Sequence, residues 1–137
     1  MSYLSLEGVG KTYRTGAVAV EALKDVTFDL ENGEFVVVLG SSGAGKTTLL
    51  NLLGGMDSAT AGKILLNGQD VTKLDKKGLC RYRRDAVGFV FQFYNLMPNL
   101  TALENEEIAV EICKEHLKPA EVLEEVGLKE RLNNFPA

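Results

Sequence analysis

A glycine-rich segment that lies between two apolar runs most strongly limits what this chain can fold into. Residues 40–47 fit the pattern G-x-x-x-x-G-K-[ST]. The apolar run at 35–39 before them predicts a strand, and the leucine-rich run at 49–53 after them predicts a helix. A strand, a glycine-rich turn and a helix in this order predict a P-loop in an α/β fold, whereas a chance glycine-rich turn would lack these neighbours.

Each residue type in this loop has a physical reason to be there if the loop holds the phosphates of a nucleotide. Glycines allow the positive φ angles and the close backbone approach that bring several N–H donors to one phosphate group. The Lys46 ammonium would reach the β- and γ-phosphates, and the Thr47 hydroxyl would ligate Mg²⁺. We therefore predict a nucleoside triphosphate and Mg²⁺ as ligands, with contacts from Ser41, Ser42, Gly43, Ala44, Gly45, Lys46, Thr47 and Thr48. The motif alone does not decide between a kinase, a GTPase and a transporter ATPase.

Composition narrows the class of protein further. The chain has 137 residues, which is enough for one domain with a buried core. Its net charge of −4 gives no reason to expect a nucleic acid as partner, and the basic run at 76–84 is more typical of a solvated helix face. No stretch approaches the roughly 20 apolar residues of a membrane span, and there is no signal-peptide pattern. Cys80 and Cys113 are isolated, which predicts reduced thiols in a cytosolic protein.

A second apolar run gives a further site candidate. Residues 87–91 are apolar throughout, which predicts a strand buried on both faces of a partly parallel sheet. Gln92 follows directly, and α/β sheets bind ligands beyond the carboxyl ends of their strands. Gln92 is therefore a candidate for the site, with an ordinary loop glutamine as the alternative.

Periodicity and capping signals predict the remaining elements. Strands are predicted around 26–30 and 63–66, and a helix is predicted over 75–84. Thr101 and Glu104 form a capping box that opens a helix to about residue 114. A last helix is predicted from Pro119 to Gly127, with Val122, Leu123 and Val126 facing the core.

Two aromatic side chains outside these signals are interpreted on spacing alone. Tyr13 lies in a predicted connection at 11–16, where an aromatic ring is more often structural than functional. His116 has neither a partner nor a metal-ligand spacing, which indicates a surface histidine.

Seven blocks of the sequence are together similar to one known family. They lie at 9–13, 21–26, 32–35, 40–48, 54–57, 83–98 and 100–105. From about Leu4 to its last residue, the chain resembles the ATP-binding subunit of an ABC transporter. The block at 83–98 is the most specific one. It resembles the branch that contains lipoprotein-releasing, macrolide-export and antimicrobial-peptide-export ATPases, together with a cell-division member.

This resemblance implies a fold and a set of residue roles. The family fold is a P-loop α/β core with an N-terminal antiparallel β subdomain and a helical subdomain, of which this chain would contain the start. Tyr13 matches the aromatic that stacks on adenine, which replaces the structural interpretation, and Val20 would pack under the same ring. Gln92 matches the glutamine that contacts Mg²⁺ and the attacking water. Lys46 and Gln92 are therefore the catalytic candidates.

The resemblance also implies partners and a location. Residues 93–105 would lie near the groove that receives a transmembrane permease subunit. Two ATP-binding subunits would work as a homodimer against the permease subunits, as peripheral proteins on the cytoplasmic face of the inner or plasma membrane. The leading hypothesis is a Mg-ATP-binding subunit of an export-type transporter. The alternatives are a signalling module of the cell-division type, which moves no substrate, and a soluble ABC-type ATPase of DNA repair or translation.

Three motifs of the family do not occur in the sequence. They are a serine-glycine-glycine signature, an apolar strand that ends in Asp-Glu, and a switch histidine. We therefore expect residues 1–137 to be the N-terminal part of one ABC-type ATP-binding domain that ends before the signature. We also expect this chain alone to bind ATP without turning it over.

Overall fold

The computed structural model describes residues 2–136, which form two compact units, the first ending at Val87 and the second beginning at Gly88. The first unit contains a four-stranded sheet in the order β2-β1-β3-β4, and every neighbouring pair is antiparallel. Its strands are β1 (Leu4–Thr15), β2 (Val18–Leu30), β3 (Ala61–Leu66) and β4 (Gln69–Asp70). The antiparallel β subdomain that the resemblance implies is present.

Two helices complete the first unit, α1 (Lys46–Leu53) and α2 (Lys76–Ala86). α1 contains the leucine-rich run at 49–53 that predicts it, and α2 begins one residue after its predicted start at 75. α1 ends as Gly55 adopts a φ of 68°, and the Tyr82 ring packs so closely against Gly55 that a Cβ there would lie 2.9 Å from it. The Tyr82 hydroxyl also donates a hydrogen bond of 2.6 Å to the Leu53 carbonyl. This contact fastens the end of α1 to α2.

One hydrophobic cluster joins the sheet to these helices. Side chains from three strands meet side chains from both helices and from the 3-10 turn Val71–Lys73. Burial of each large aliphatic side chain stabilises the fold by roughly 1.5–3 kcal/mol, so this cluster is the main source of stability for the unit. Its members are Leu6, Val9, Leu23, Leu49, Leu52, Ile64, Val71 and Tyr82.

The two apolar runs predicted as buried strands, at 35–39 and 87–91, do not form strands. Neither belongs to a strand pair, Phe35 is 94% exposed and Val90 is fully exposed. The prediction is therefore wrong for the described residues. A strand of a parallel sheet needs neighbouring strands that hydrogen-bond to it. The four-stranded antiparallel sheet of the described residues includes neither run, so neither run has such a neighbour.

The second unit is built from α3 (Ala102–Glu111), α4 (Pro119–Glu125) and the 3-10 turn Lys129–Arg131. α3 ends at Glu111, three residues before the predicted end at 114. None of the helices formed by residues 2–136 is long and apolar enough to cross a membrane.

Helix caps in the second unit follow the sequence closely. The Thr101 hydroxyl accepts a hydrogen bond from the Glu104 N–H (3.2 Å), and the Glu104 carboxylate accepts one from the Thr101 N–H (2.8 Å), so the capping box is confirmed.

In α4, Leu123 is buried as predicted. Val126 follows the helix and is exposed, so its predicted place in the core is wrong, because the helix ends one residue before it.

Candidate nucleotide-binding site

The glycine-rich loop at 40–45 closes around the side chain of Lys46. The N–H of Ala44 donates to the Ser41 carbonyl at 3.1 Å. The Lys46 ammonium donates to the carbonyl oxygens of Gly40 (2.6 Å) and Ser41 (2.7 Å). Within the part of the chain that the structure describes, no carboxylate forms an ion pair with Lys46. The positive charge of this loop is therefore available to an anionic ligand.

The helix that begins at this loop has no side-chain cap. Its N-cap residue is Gly45, with a φ of 93°, and the Leu49 N–H donates to the Gly45 carbonyl at 2.9 Å. The N–H groups ahead of Leu49 and the positive end of the helix dipole can therefore take the oxygens of an anion. Thr47, the second residue of the helix, is exposed. These residues fit the triphosphate and the Mg²⁺ ion that the sequence motif predicts.

Gly45 also determines where the loop lies on the sheet. A Cβ at this position would lie 2.5 Å from the Ala22 carbonyl oxygen of β2 and 3.0 Å from Cδ2 of Leu23. Because glycine alone tolerates both this approach and a φ of 93°, the loop and the strand touch backbone to backbone. The contact places the loop beside the strand that carries Val20, which lies two residues before Ala22.

We expect Gly45→Ala to lower the free energy of unfolding of the chain by about 1–3 kcal/mol, since it adds backbone strain and a clash with the Ala22 carbonyl. Denaturant titration followed by circular dichroism measures this loss. Gly43→Ala is the matched control, because Gly43 has a φ of 78° and nothing lies within 4 Å of its Cβ position. Equal losses in the two variants would show that the contact with β2 contributes nothing.

Tyr13 and Val20, the two residues expected to meet the base, are neighbours across the β1–β2 hairpin. Tyr13 pairs with Val20 in the register of the two strands, so both side chains point to the same face of the sheet. Tyr13 is 40% exposed, and Val20 is exposed beside it. Tyr13 lies inside β1, so the predicted connection at 11–16 is strand for most of its length. The hairpin therefore presents an aromatic and an aliphatic side chain together.

The Asp57 carboxylate joins two side chains of β1, and sequence reasoning missed this contact. Asp57 Oδ2 accepts a hydrogen bond from the Tyr13 hydroxyl at 2.8 Å, and Oδ1 accepts one from the Lys11 ammonium at 2.8 Å. Lys11 is only 7% exposed and also donates to the Ser58 carbonyl at 2.7 Å. The Lys11 ammonium lies 4.9 Å from the centroid of the Tyr13 ring, which is a cation–π contact.

The protonation of Asp57 follows from these contacts. Burial raises the pKa of the Asp57 carboxyl, but the hydrogen bonds from Lys11, Tyr13 and the Ser58 N–H together outweigh burial and hold the pKa below its usual value. A carboxylate with a lowered pKa stabilises the fold at all pH values above its unfolded pKa. This stabilisation is lost only as the pH falls below about 4, through the lowered pKa, so Asp57 is charged at neutral pH.

The segment around Asp57 is held from both sides. The Asp57 N–H donates to the Asn51 carbonyl of α1 at 3.3 Å. On the other side, the Thr60 hydroxyl donates to the Gly10 carbonyl at 3.1 Å and accepts from the Thr12 N–H at 3.0 Å. The loop at 57–60 therefore connects the helix of the glycine-rich loop to the strand that carries Tyr13.

Gln92 lies in the second unit, in an exposed loop that follows the rings of Phe89 and Phe91. Those rings stack with centroids 5.6 Å apart. Further along the loop, Met97 is held by the Asn105 side chain of α3, which accepts from the Met97 N–H at 2.8 Å and donates to the Met97 carbonyl at 3.2 Å. The glutamine is exposed as a ligand-binding side chain requires, but its role toward a metal ion stays a prediction.

Other candidate chemistry in residues 2–136 is limited. No group of three or more His, Cys, Asp and Glu side chains there could hold a metal ion. Cys80 and Cys113 are free cysteines, as their spacing predicts. Mg²⁺ is commonly bound by one or two protein oxygens together with phosphate oxygens and water, so a cluster of this kind is not required, and the Thr47 hydroxyl stays the predicted protein ligand.

Known proteins resemble this chain over nearly its whole length. A sequence profile described as ABC transporter matches residues 23–137. An ABC transporter ATP-binding protein of Thermotoga maritima is 45% identical over 138 residues, which cover 97% of this chain and 59% of that protein. The macrolide export ATP-binding/permease protein MacB of Marinobacter nauticus is 42% identical over 139 residues, which cover 98% of this chain and 22% of MacB. The chain therefore spans less than two thirds of either relative.

Two solved structures share the fold. One is the dimeric structure of MJ0796, a bacterial ABC transporter cassette, with a TM-score of 0.87. The other is a dimeric post-hydrolysis state of MJ0796 bound to ADP and Pi, with a TM-score of 0.86. Each is 36% identical to this chain, and each match covers 97% of this chain and 61% of the solved one. This likeness confirms the predicted ABC-type α/β class, and the chain belongs to the ABC transporter family, within the ATP-binding part of its relatives.

Proposed function

We propose that this chain binds Mg-ATP as part of a subunit that energises an export-type ABC transporter by ATP binding and hydrolysis. The observation that carries the proposal is the Lys46 ammonium, which is held by two loop carbonyls at an uncapped helix N-terminus. Membership of the family supports it, and the 42% identity to a macrolide export protein favours export over the other hypotheses.

In this proposal the loop recognises the phosphates through charge and backbone N–H groups. The Lys46 ammonium exchanges its contacts with the Gly40 and Ser41 carbonyls for contacts with phosphate oxygens, which are stronger because both partners are charged. The N–H groups of residues 41–48 surround the same oxygens. Tyr13 and Val20 then receive the adenine base on the exposed face of the hairpin.

Mg²⁺ would be held by the Thr47 hydroxyl, and it would supply charge neutralisation for the phosphates. The assignment of Gln92 as a second metal contact and as the residue that orients the attacking water is supported by its sequence match alone. An amide can position water but does not act as a base at neutral pH.

The partners in this proposal are transmembrane permease subunits and a second ATP-binding subunit. The loop around Gln92 carries four exposed apolar side chains, which are Phe93, Tyr94, Leu96 and Met97. Contiguous exposed apolar side chains are typical of a protein interface. The relative MacB has a permease in the same chain, and MJ0796 forms a dimer. The proposed location is the cytoplasmic face of the inner or plasma membrane.

Reconstitution tests the proposal. A complete ATP-binding subunit that contains this chain is combined with a candidate permease in lipid vesicles, and phosphate release is measured with and without the permease. We expect hydrolysis that depends on Lys46 and rises with the permease, while the exposed surface variant Lys63→Ala behaves like the wild type. Hydrolysis that responds to the permease without movement of any compound would favour the signalling alternative. An absence of ATP binding would refute the proposal.

A further inference from the structure

The arrangement of donors around Asp57 restrains the Tyr13 ring at its hydroxyl end. Lys11 and Tyr13 are two residues apart in β1, so both side chains point to the same face, where each donates to a different oxygen of Asp57. The ammonium of Lys11 lies over the ring itself. A partly exposed tyrosine with these contacts has lost most of its freedom to rotate about its side-chain bonds.

Asp57 also connects this ring to the phosphate end of the proposed site. Its own N–H donates to Asn51 in α1, and α1 begins at the loop that holds Lys46. The covalent links of a nucleotide limit the distance that its base can lie from its phosphates. A ring that is hydrogen-bonded, through Asp57, to the phosphate-binding helix is therefore preorganised for the base. The entropy of this side chain is lost when the chain folds and is not lost again when the nucleotide binds.

We propose that Asp57 is a positioning residue for the adenine base, which acts by holding the hydroxyl of Tyr13 and does not itself touch the nucleotide. This inference rests on the proposed function, since it requires that the loop binds the phosphates and that Tyr13 receives the base. Lys11 completes the arrangement by supplying the cation that keeps Asp57 ionised and in place.

The test separates the base from the phosphates. Dissociation constants of Mg-ATP and of inorganic tripolyphosphate with Mg²⁺ are measured by calorimetry on the 137-residue chain, and the ratio of the first to the second reports on the adenosine part of the ligand. We expect Tyr13→Phe and Asp57→Ala each to weaken ATP binding about three- to tenfold while tripolyphosphate binding stays the same. Asp57→Asn should leave this ratio at its wild-type value, because the amide oxygen can accept a hydrogen bond from Lys11 and the amide nitrogen can donate one to the Tyr13 oxygen.

A double variant and a structural control complete the design. If Asp57 acts through the hydroxyl, Asp57→Ala adds nothing to the ratio in a Tyr13→Phe background. Tyr82→Phe removes a different hydroxyl hydrogen bond of the same unit, so it should lower the melting temperature and leave the ratio unchanged. Equal weakening of ATP and tripolyphosphate by Asp57→Ala would refute the inference, as would an unchanged ratio in Tyr13→Phe.

Other results would contradict the proposed nucleotide site itself rather than the role of Asp57. If Tyr13→Ala leaves the ratio unchanged, Tyr13 does not receive the base, and the inference falls with that assignment. If Lys46→Ala leaves both affinities unchanged, the phosphate site itself is misplaced. If the ratio of the ATP to the tripolyphosphate dissociation constant rises in Tyr13→Ala but not in Tyr13→Phe or Asp57→Ala, the positioning role alone is overturned.

Discussion

Replacing Lys46 with alanine is expected to weaken Mg-ATP binding about tenfold to a hundredfold. Each charge-assisted hydrogen bond to a phosphate contributes roughly 1.5–3 kcal/mol, and the ammonium lies inside the loop with no carboxylate paired to it among the described residues. No other lysine or arginine lies within residues 40–48, so nothing in the loop replaces the lost charge. Isothermal titration calorimetry of the wild type and the variant measures the change.

Lys63→Ala is the matched control for this prediction. Lys63 is an exposed residue of β3, and its replacement changes the net charge by the same amount. Thermal melts establish that both variants are folded before affinity is compared. The assignment of the phosphate site fails if Lys46→Ala and Lys63→Ala bind ATP equally well.

The second large effect concerns turnover, because we expect the 137-residue chain to bind ATP and release no phosphate above background. Phosphoryl transfer requires a residue that orients the attacking water and groups that stabilise charge as it develops. Gln92, which the sequence match places at the attacking water, offers an amide rather than a base, so we expect the reaction to lack a general base.

A phosphate-release assay on the purified chain tests this expectation. MJ0796 is a suitable positive control, because its structure with ADP and Pi is described as a post-hydrolysis state. The Lys46→Ala variant reveals any contaminating activity. Phosphate release by the chain that disappears in Lys46→Ala would mean that the catalytic groups lie within these residues and have been overlooked.

Local sequence patterns predicted the structure correctly where that structure depends on residues close together in the chain. The glycine-rich loop, the start of α1 and the Thr101–Glu104 capping box all lie where they were predicted, because each depends on residues at most a few positions apart. The alternation at 26–30 also identified a strand correctly, since its partner β1 lies in the same unit.

Long-range features could not be predicted from local patterns. Lys11 and Asp57 are 46 residues apart, so nothing in their spacing shows that they form an ion pair or that this pair reaches Tyr13. The apolar composition of residues 35–39 indicates a preference for burial, but a strand also needs a partner, and composition cannot supply one. Tyr13 was assigned to the base by resemblance alone, and its tether to Asp57 is visible only in the structure.

We expect the exposed run at 35–39 to favour association of this chain with other copies of itself. The run contains no charge, proline or glycine and consists of Phe, Val and Leu, which is the composition of segments that stack into cross-β fibrils. Glu34 directly precedes it and acts as a charged gatekeeper on one side only. A strand that paired with this run would cover its free backbone N–H and C=O groups and so lower the tendency of the chain to associate with other copies of itself.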